Sequence, residues 1–380
     1  MDALSIRYNS MLQNKIYQNF TIEIFKTFFI ILFGLSMIAL TVRAVGFLEL
    51  IVDSGYPAQI YFKYSLLNLF GVTTKFVPFA FFLAITLFIL KHHDNSEFSI
   101  LWSAGVKKIK VVNLFLLIGI ITMSLYLIFS TYITPLALNK SRKLLNTEQF
   151  NSFLPTIKQQ QFSDSFKGFT MIVEEKKGNK IKNIFLHDKE NNLKALSSNA
   201  SSIENTTIVA KKGEINSKQM ILIEGQIISS KKNSKKNEMI EFDQLNINLD
   251  DLSTAIIKQP KIQELSTLKL ISCFQRQFDK KLCNENFIKE IIPNLNRRII
   301  LPMYIPVISL ICSLLLIRNE KNSLKKFSIY SMAFILILFT EIAIKYTGIS
   351  NFLLFFFILF PFFLIGFFYI FLMFKFSNEY

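Results

Sequence analysis

Two acidic residues three positions apart, Asp94 and Glu97, head a short polar-to-amphipathic stretch, residues 92–105 (HHDNSEFSILWSAG). Acids at that spacing can open a helix as a capping box, one closing on the backbone of the other. Gly105 supplies the matching stop. Between them Phe98, Leu101, Trp102 and Gly105 recur at helical spacing and mark one face. The pattern predicts a helix over 95–104, with Ala104 in its last turn. Its chemistry is recognition: a carboxylate at the head and an apolar stripe that so short a helix cannot bury by itself. Glu97 has a plainer role too, closing its own box, and the two roles are compatible.

The other reactive side chains are sparse. Lys75 and Glu341 interrupt long apolar runs, and Arg43 ends the first of them. Ionisable groups inside such runs are functional candidates by default, the alternative being that they snorkel to an interface. Arg43 has the planar fork that suits a phosphate, or serves as an anchor. His92 and His93 form an adjacent pair that reads as interfacial polarity, and His187 stands alone. Cys273 and Cys283 are ten residues apart, and Cys312 falls in an apolar segment. A bond between the first two is open, but there is no disulfide framework and no metal-ligand spacing. No phosphate-binding loop of the form G-x-x-x-x-G-K-[ST] occurs, nor G-x-S-x-G, H-E-x-x-H or C-x-x-C. Binding of ATP by this chain through such a loop is excluded, and no cofactor is implied.

These residues are positioned by a chain that is 51% hydrophobic, with mean hydropathy +0.37 and 41 Phe. Six runs are long and apolar enough to cross a bilayer, for which about 20 residues suffice: 22–45, 64–90, 111–134, 299–317, 327–344 and 346–374. The first is read as a span and not a signal peptide, because its apolar run is long and no small-x-small site follows it. Short-loop charge sets the orientation. Arg7, Lys15, Lys26, Lys91, Lys107, Lys108, Lys110, Arg318, Lys321, Lys325, Lys326 and Lys375 lie on one side. Only Arg43, Lys63 and Lys345 lie on the other. Both termini and residues 92–105 are therefore expected in the cytoplasm, and 136–295 outside.

That outer stretch is too polar to span. It holds short runs of strand character at 168–174, 181–187, 207–211, 219–224, 226–230 and 239–249, with a hairpin signal at Lys176–Asn179. One slip of alternation in the last run predicts a bulge. The inward-facing candidates are Ile172, Ile184, Leu222, Ile240 and Phe242, as ordinary core or as the lining of an apolar groove. Between 136 and 298 there are 27 basic and 18 acidic residues. A basic outer module suits an anionic lipid, or is a solvated surface. The chain's net charge of +16 requires no nucleic acid. The expected division is 1–135 with three spans, 136–265 as an all-β domain, 266–298 as a helical connector and 299–380 with three more spans.

The segment from Asp94-Asn95-Ser96-Glu97 through Ala104-Gly105-Val106 resembles the coupling helix of the lipopolysaccharide-export permeases, the LptF/LptG family. The three-plus-three layout around a β domain is that family's layout. Leu48–Gly55 and Asn296-Arg297-Arg298 with Pro302 resemble the F-type member more than the G-type. The resemblance implies a jellyroll-like periplasmic domain and a location in the bacterial inner membrane. It implies a non-catalytic subunit paired with an LptG-like second permease. An LptB-like cytoplasmic ABC ATPase dimer would drive the pair, and LptC/LptA-like jellyroll bridge proteins would receive its lipopolysaccharide. It also implies that Glu97 is the coupling carboxylate, with Asp94, Phe98, Leu101, Trp102, Ala104 and Gly105 around it, and that Arg43, with Lys75, handles lipid.

The cargo chemistry is coherent with these expectations. Acyl chains carried through water would cost ~0.8 kcal/mol per exposed CH2, so a receiving domain needs continuous apolar cover. The rival reading is a mechanotransmission or lipoprotein-release permease. Those place a large domain between the first two of four spans, which the six-span count disfavours. A membrane enzyme acting on lipids lacks a catalytic constellation here.

Overall fold

The computed structural model describes residues 2–52, 56–166, 169–189, 203–216, 219–231, 238–248, 261–274, 285–317 and 323–377. Residues 53–55 of the Leu48–Gly55 motif, and Cys283, Arg318 and Lys321, lie outside them. Eleven α-helices and six strands are described: α1 (Asp2–Phe47), α2 (Glu49–Val52), α3 (Ala58–Asp94), α4 (Glu97–Ser103), α5 (Lys108–Ile128) and α6 (Thr134–Thr156), then β1 (Ser163–Phe166), β2 (Phe169–Lys177), β3 (Lys180–Asp188), β4 (Ile203–Ile215), β5 (Gln219–Lys231) and β6 (Glu238–Asn248), and finally α7 (Thr267–Phe274), α8 (Glu285–Ile299), α9 (Tyr304–Ser313), α10 (Ser323–Tyr346) and α11 (Asn351–Ser377). The chain divides into two compact units, residues 1–41, 68–139 and 261–380 in one, 42–67 and 140–260 in the other.

The first unit is helical. Across the described residues of the chain, six stretches are long and apolar enough to cross a membrane: Lys15–Val52, Ala58–Asp94, Lys108–Leu145, Lys289–Leu316, Phe327–Tyr346 and Phe352–Ser377. Each expected span is there. The third runs on through a π-helical segment, Phe129–Ile133, into α6. Every residue of α9 is buried, so this helix is the centre of the unit. Gly119 of α5 lets it pack closely against α9: a Cβ there would sit 3.0 Å from Ser309 Oγ and 3.3 Å from the Pro306 backbone. The Thr122 and Ser313 hydroxyls in these apolar helices bond their own chain, at Ile118 O and Ser309 O, which removes the cost of leaving them unpaired. The outward faces of α1, α10 and α11 carry exposed Phe33, Phe339, Phe363 and Phe367, as lipid-facing surfaces do.

The second unit carries one antiparallel six-stranded sheet in the order β1-β2-β3-β4-β5-β6. β2 and β3 are joined by the expected two-residue turn, with Gly178 at φ +60, a region open to glycine without steric cost. Each pairing from β2 to β6 skips one residue on both strands: Glu174 and Asn183, Asn183 and Lys211, Lys211 and Glu224, Glu224 and Asp243. The skips align into a crease across five strands, and Asn183 and Glu224 take positive φ along it, 48° and 53°. Inward positions are spaced by three across the crease and by two on either side. Ile181 and Ile184 are therefore both buried, as are Ala210 and Gly213. Creasing lets a single sheet close over its own core of Met171, Val173, Ile184, Leu186, Ile208 and Leu222. This is the jellyroll-like character of the domain, although the described strands are connected as a plain meander.

The sheet corrects two sequence expectations. Ile172 faces away from the core, whose β2 contribution is Met171 and Val173. Residues 219–224 and 226–230 are one strand, β5, bent at Glu224 and Gly225. Ile184 and Leu222 are buried as expected, while Phe242 is half-buried and Ile240 is 42% exposed on the edge strand β6. On the hairpin, Lys182 lies 2.8 Å from its cross-strand partner Glu175 and holds that carboxyl below the usual carboxylate range. Both side chains are exposed, so the pair contributes little to stability.

Candidate functional site

Helix α4 stands on the turn between α3 and α5, and its ends differ from the sequence expectation. Asp94 is the last residue of α3, so it cannot adopt the extended backbone of an N-cap. The helix starts at Glu97, and Ser96 before it is left-handed, φ 59°, with no side-chain cap. No capping box closes over Asp94 and Glu97. The helix is therefore seven residues long, about 10 Å at 1.5 Å per residue. Its C-terminus follows the expectation. Gly105 has φ +80, its N–H donates to Trp102 O at 3.1 Å, and the Val106 N–H donates to Leu101 O at 3.1 Å. That bonding, with Leu101 and Val106 both buried, is a Schellman motif.

The apolar face of α4 is covered by its own chain. Phe98 and Leu101 are buried, and Phe98 stacks on half-buried Trp102 at 5.8 Å. Phe20 of α1 and Phe88 of α3 meet Phe98 edge-on at 6.2 and 6.4 Å. A partner surface is the natural cover expected for so short a helix, and here the chain itself covers the face. Phe98 and Leu101 join the same core as Phe20 and Phe88, so the long flanking helices supply the cover. What α4 leaves outside is Ser99, Ile100 at 66% exposure, Ser103 and Ala104, with Asp94, Asn95 and Ser96 beside them.

A polar cluster that sequence reading missed ties α4 down. His92 is buried two residues before the end of α3. Its Nδ1 lies 3.0 Å from Phe88 O, and its Nε2 lies 3.4 Å from Glu23 Oε2 and 3.3 Å from Glu97 Oε2. Lys91 Nζ reaches the other oxygen of Glu23 at 2.6 Å, and Asn95 Nδ2 donates to the other oxygen of Glu97 at 3.1 Å. The adjacent histidines looked like loop polarity. Because α3 continues to Asp94, they take different environments, His92 inward and His93 half-exposed. An acid in the first span and a histidine ending the second were the available signal.

A second cluster involves the Asn296-Arg297-Arg298 motif. Arg297 Nη2 pairs with Glu341 Oε2 at 2.9 Å, joining α8 to α10, so Glu341 does not snorkel alone. Buried Arg298 donates to the carbonyls of Ile262, Gln263 and Leu265 and to Thr267 Oγ1. The π segment completes this joint, with Ser130 Oγ donating to Arg298 O and Thr267 Oγ1 to Thr131 O, each at 2.7 Å. These contacts fasten the turn before α7 to the third and fourth spans. Lys75 is exposed on α3. Arg43 is exposed near the end of α1 and has no hydrogen bond or ion pair to a described residue. Cys273 is disulfide-bonded, and Cys312 is free and buried.

The six spans, the inserted sheet and the short helix between the second and third spans define the architecture to be placed. The family model for the lipopolysaccharide export system permease LptF/LptG matches residues 20–375. The chain belongs to this family. A comparison with individually curated proteins finds no match. The chain is accordingly a multi-pass membrane permease of the LptF/LptG family, and the match does not separate the F-type from the G-type member.

Proposed function

We propose that this chain is the permease subunit of an ABC transporter that extracts lipopolysaccharide from the inner membrane and passes it to a periplasmic bridge. The family match over nearly the whole chain carries the reading. In this reading α4 is the element against which a cytoplasmic LptB-like ATPase docks, a second LptG-like permease completes the membrane pair, and LptC/LptA-like proteins continue the sheet domain's path. The chain contributes no hydrolysis of its own.

The docking surface is the outward side of α4. Ile100 is an exposed apolar knob flanked by the small residues Ser99, Ser103 and Ala104, a shape suited to one groove. Glu97 sits at its head, its side chain 43% exposed, so it can face a partner while still touching His92. Arg43 and Lys75 supply cations for an anionic headgroup. The test is co-purification of the ATPase with the full-length permease. Ser103→Arg on the outer face is expected to abolish it while the permease still inserts, and Glu97→Gln and Glu97→Ala are expected to lower it. Normal recovery of the ATPase with Ser103→Arg would refute docking through α4.

A further inference from the structure

Pro135 is buried in the third span, two residues past the π-helical segment. It has no N–H, so it cannot close the ladder on Thr131 O four residues before it, and in an unbroken α-helix its ring would press on that same carbonyl. The π turn opens the spacing: the Thr134 N–H reaches back to Phe129 O. A carbonyl within a membrane span needs a donor from somewhere, and the connector supplies one. Thr267 Oγ1, at the start of α7, donates to Thr131 O at 2.7 Å and accepts from Arg298 Nη1 at 3.1 Å. Ser130 Oγ donates to Arg298 O at 2.7 Å. The contacts close into a ring from the π turn through α7 to α8 and back. Arg298 is fixed in turn by the carbonyls of Ile262, Gln263 and Leu265, and Arg297 beside it reaches α10 through Glu341 at 2.9 Å. Past the π turn, Thr134 Oγ1 lies 3.4 Å from Phe70 O, and a Cβ on Gly71 would lie 3.3 Å from the Leu138 side chain, so this end of the third span also packs on α3.

We infer that Thr267 is a positioning residue, the bolt by which the connector grips the third span at its π turn, so that the connector and the third and fourth spans move as one body when lipid is handed on. The handover part rests on the reading of the chain as a lipid-exporting permease; the bolt itself does not. A π turn inside a long helix is a place where the helix can bend. Here the carbonyl that the proline leaves without its usual partner is the one the connector holds, so the bend is stiffened from outside the helix. Without the Thr267 hydroxyl, Thr131 O loses this donor while Arg298 keeps its three carbonyls. The turn before α7 then stays folded, and its hold on the third span weakens to the Ser130 contact.

Leu268 and Tyr132, next in sequence to Thr267 and Thr131, are 80% and 66% exposed and can carry spin labels. The test measures the distance distribution between nitroxides on Leu268→Cys and Tyr132→Cys in the full-length chain in vesicles, by pulsed electron–electron resonance. Cys312 is buried and Cys273 is bonded, so native labelling is low. With Thr267 in place the distribution should be single and narrow. Thr267→Val, which keeps the shape and removes the hydroxyl, should broaden it several-fold, and Thr267→Ser, which keeps the hydroxyl, should restore it. Thr267→Ala should act as Thr267→Val does, so poor folding of one variant does not decide the outcome. In the reconstituted transporter, lipopolysaccharide released per ATP hydrolysed should fall several-fold in Thr267→Val and recover in Thr267→Ser. A distribution as narrow without the hydroxyl as with it would overturn the bolt. A broadened distribution with undiminished export would overturn its part in handover. If the native chain with its partners moves no lipopolysaccharide at all, the proposed function fails instead, and the distance measurement still decides the bolt.

Discussion

Arg43 and Arg298 show how differently one side chain can be used in this chain. Arg298 is 6% exposed and spends its guanidinium on three carbonyls and a hydroxyl of its own chain. Nothing remains for a ligand, and its role is to hold a turn. Arg43 is exposed, has no ion-pair or hydrogen-bond partner among the described residues, and retains its whole planar fork. Of the two it is the one free to take a phosphate. The expected result of Arg43→Glu is loss of crosslinking to anionic lipid and of export, with normal insertion. An exposed cation contributes at most about 1 kcal/mol to folding, so a folding defect does not mimic that outcome. Unchanged crosslinking would make Arg43 an anchor. Sequence alone could rank neither arginine, because burial and partner count are properties of the packed chain. The same limit hid His92, which is buried beside Glu23 of α1, a residue remote from it in sequence.

The short elements were legible where local rules decide them and illegible where register does. Gly105 ends α4 because only its left-handed φ lets the Schellman bonds form, and that can be read from one residue. The hairpin at Gly178 is of the same kind. The start of α4 was misplaced because Asp94-x-x-Glu97 matches a capping box in type, while the preceding helix claims Asp94 first. In the sheet, a period of two found β2 to β6 but put Ile172 inside and broke β5 in half, because a crease shared by five strands is not a property of any one of them. β1 was missed altogether, being four residues without an apolar alternation. The crease gives a sharp test. A Cβ on Gly225 would lie 2.4 Å from Val209 O and 2.6 Å from Phe242 Cζ, and the first of these is backbone that cannot turn aside. Gly225→Ala is expected to destabilise the sheet by about 1–3 kcal/mol, seen as faster amide exchange across β4, β5 and β6. Gly34→Ala in α1, where nothing lies within 4 Å, should leave the sheet's exchange unchanged. Equal protection in the two variants would mean that the strands do not close at Gly225.

At the scale of the whole chain, hydropathy made the six spans legible because a bilayer demands long apolar helices whatever their packing. Packing decides what hydropathy cannot. The buried helix α9 and the lipid-facing α11 have similarly apolar sequences, yet one is wholly enclosed and the other lines its surface with phenylalanine. Orientation is a further step, carried by charge. The twelve Lys and Arg on the N-terminal side against three on the other predict that α4 faces the cytoplasm and the sheet faces out, since basic flanks resist translocation. Two exposed positions report on the two sides: Ser103 on α4 and Lys182 on β3. The native background is low, because Cys312 is buried and Cys273 is bonded. With Ser103→Cys and Lys182→Cys in intact spheroplasts, a membrane-impermeant thiol reagent should label position 182 and reach position 103 only after lysis. The reverse pattern would invert the topology, place α4 out of reach of a cytoplasmic ATPase and remove the proposed function with it. Labelling of both positions before lysis, in spheroplasts that exclude a cytoplasmic marker dye, would mean that the two sites share a side and that a span has been miscounted.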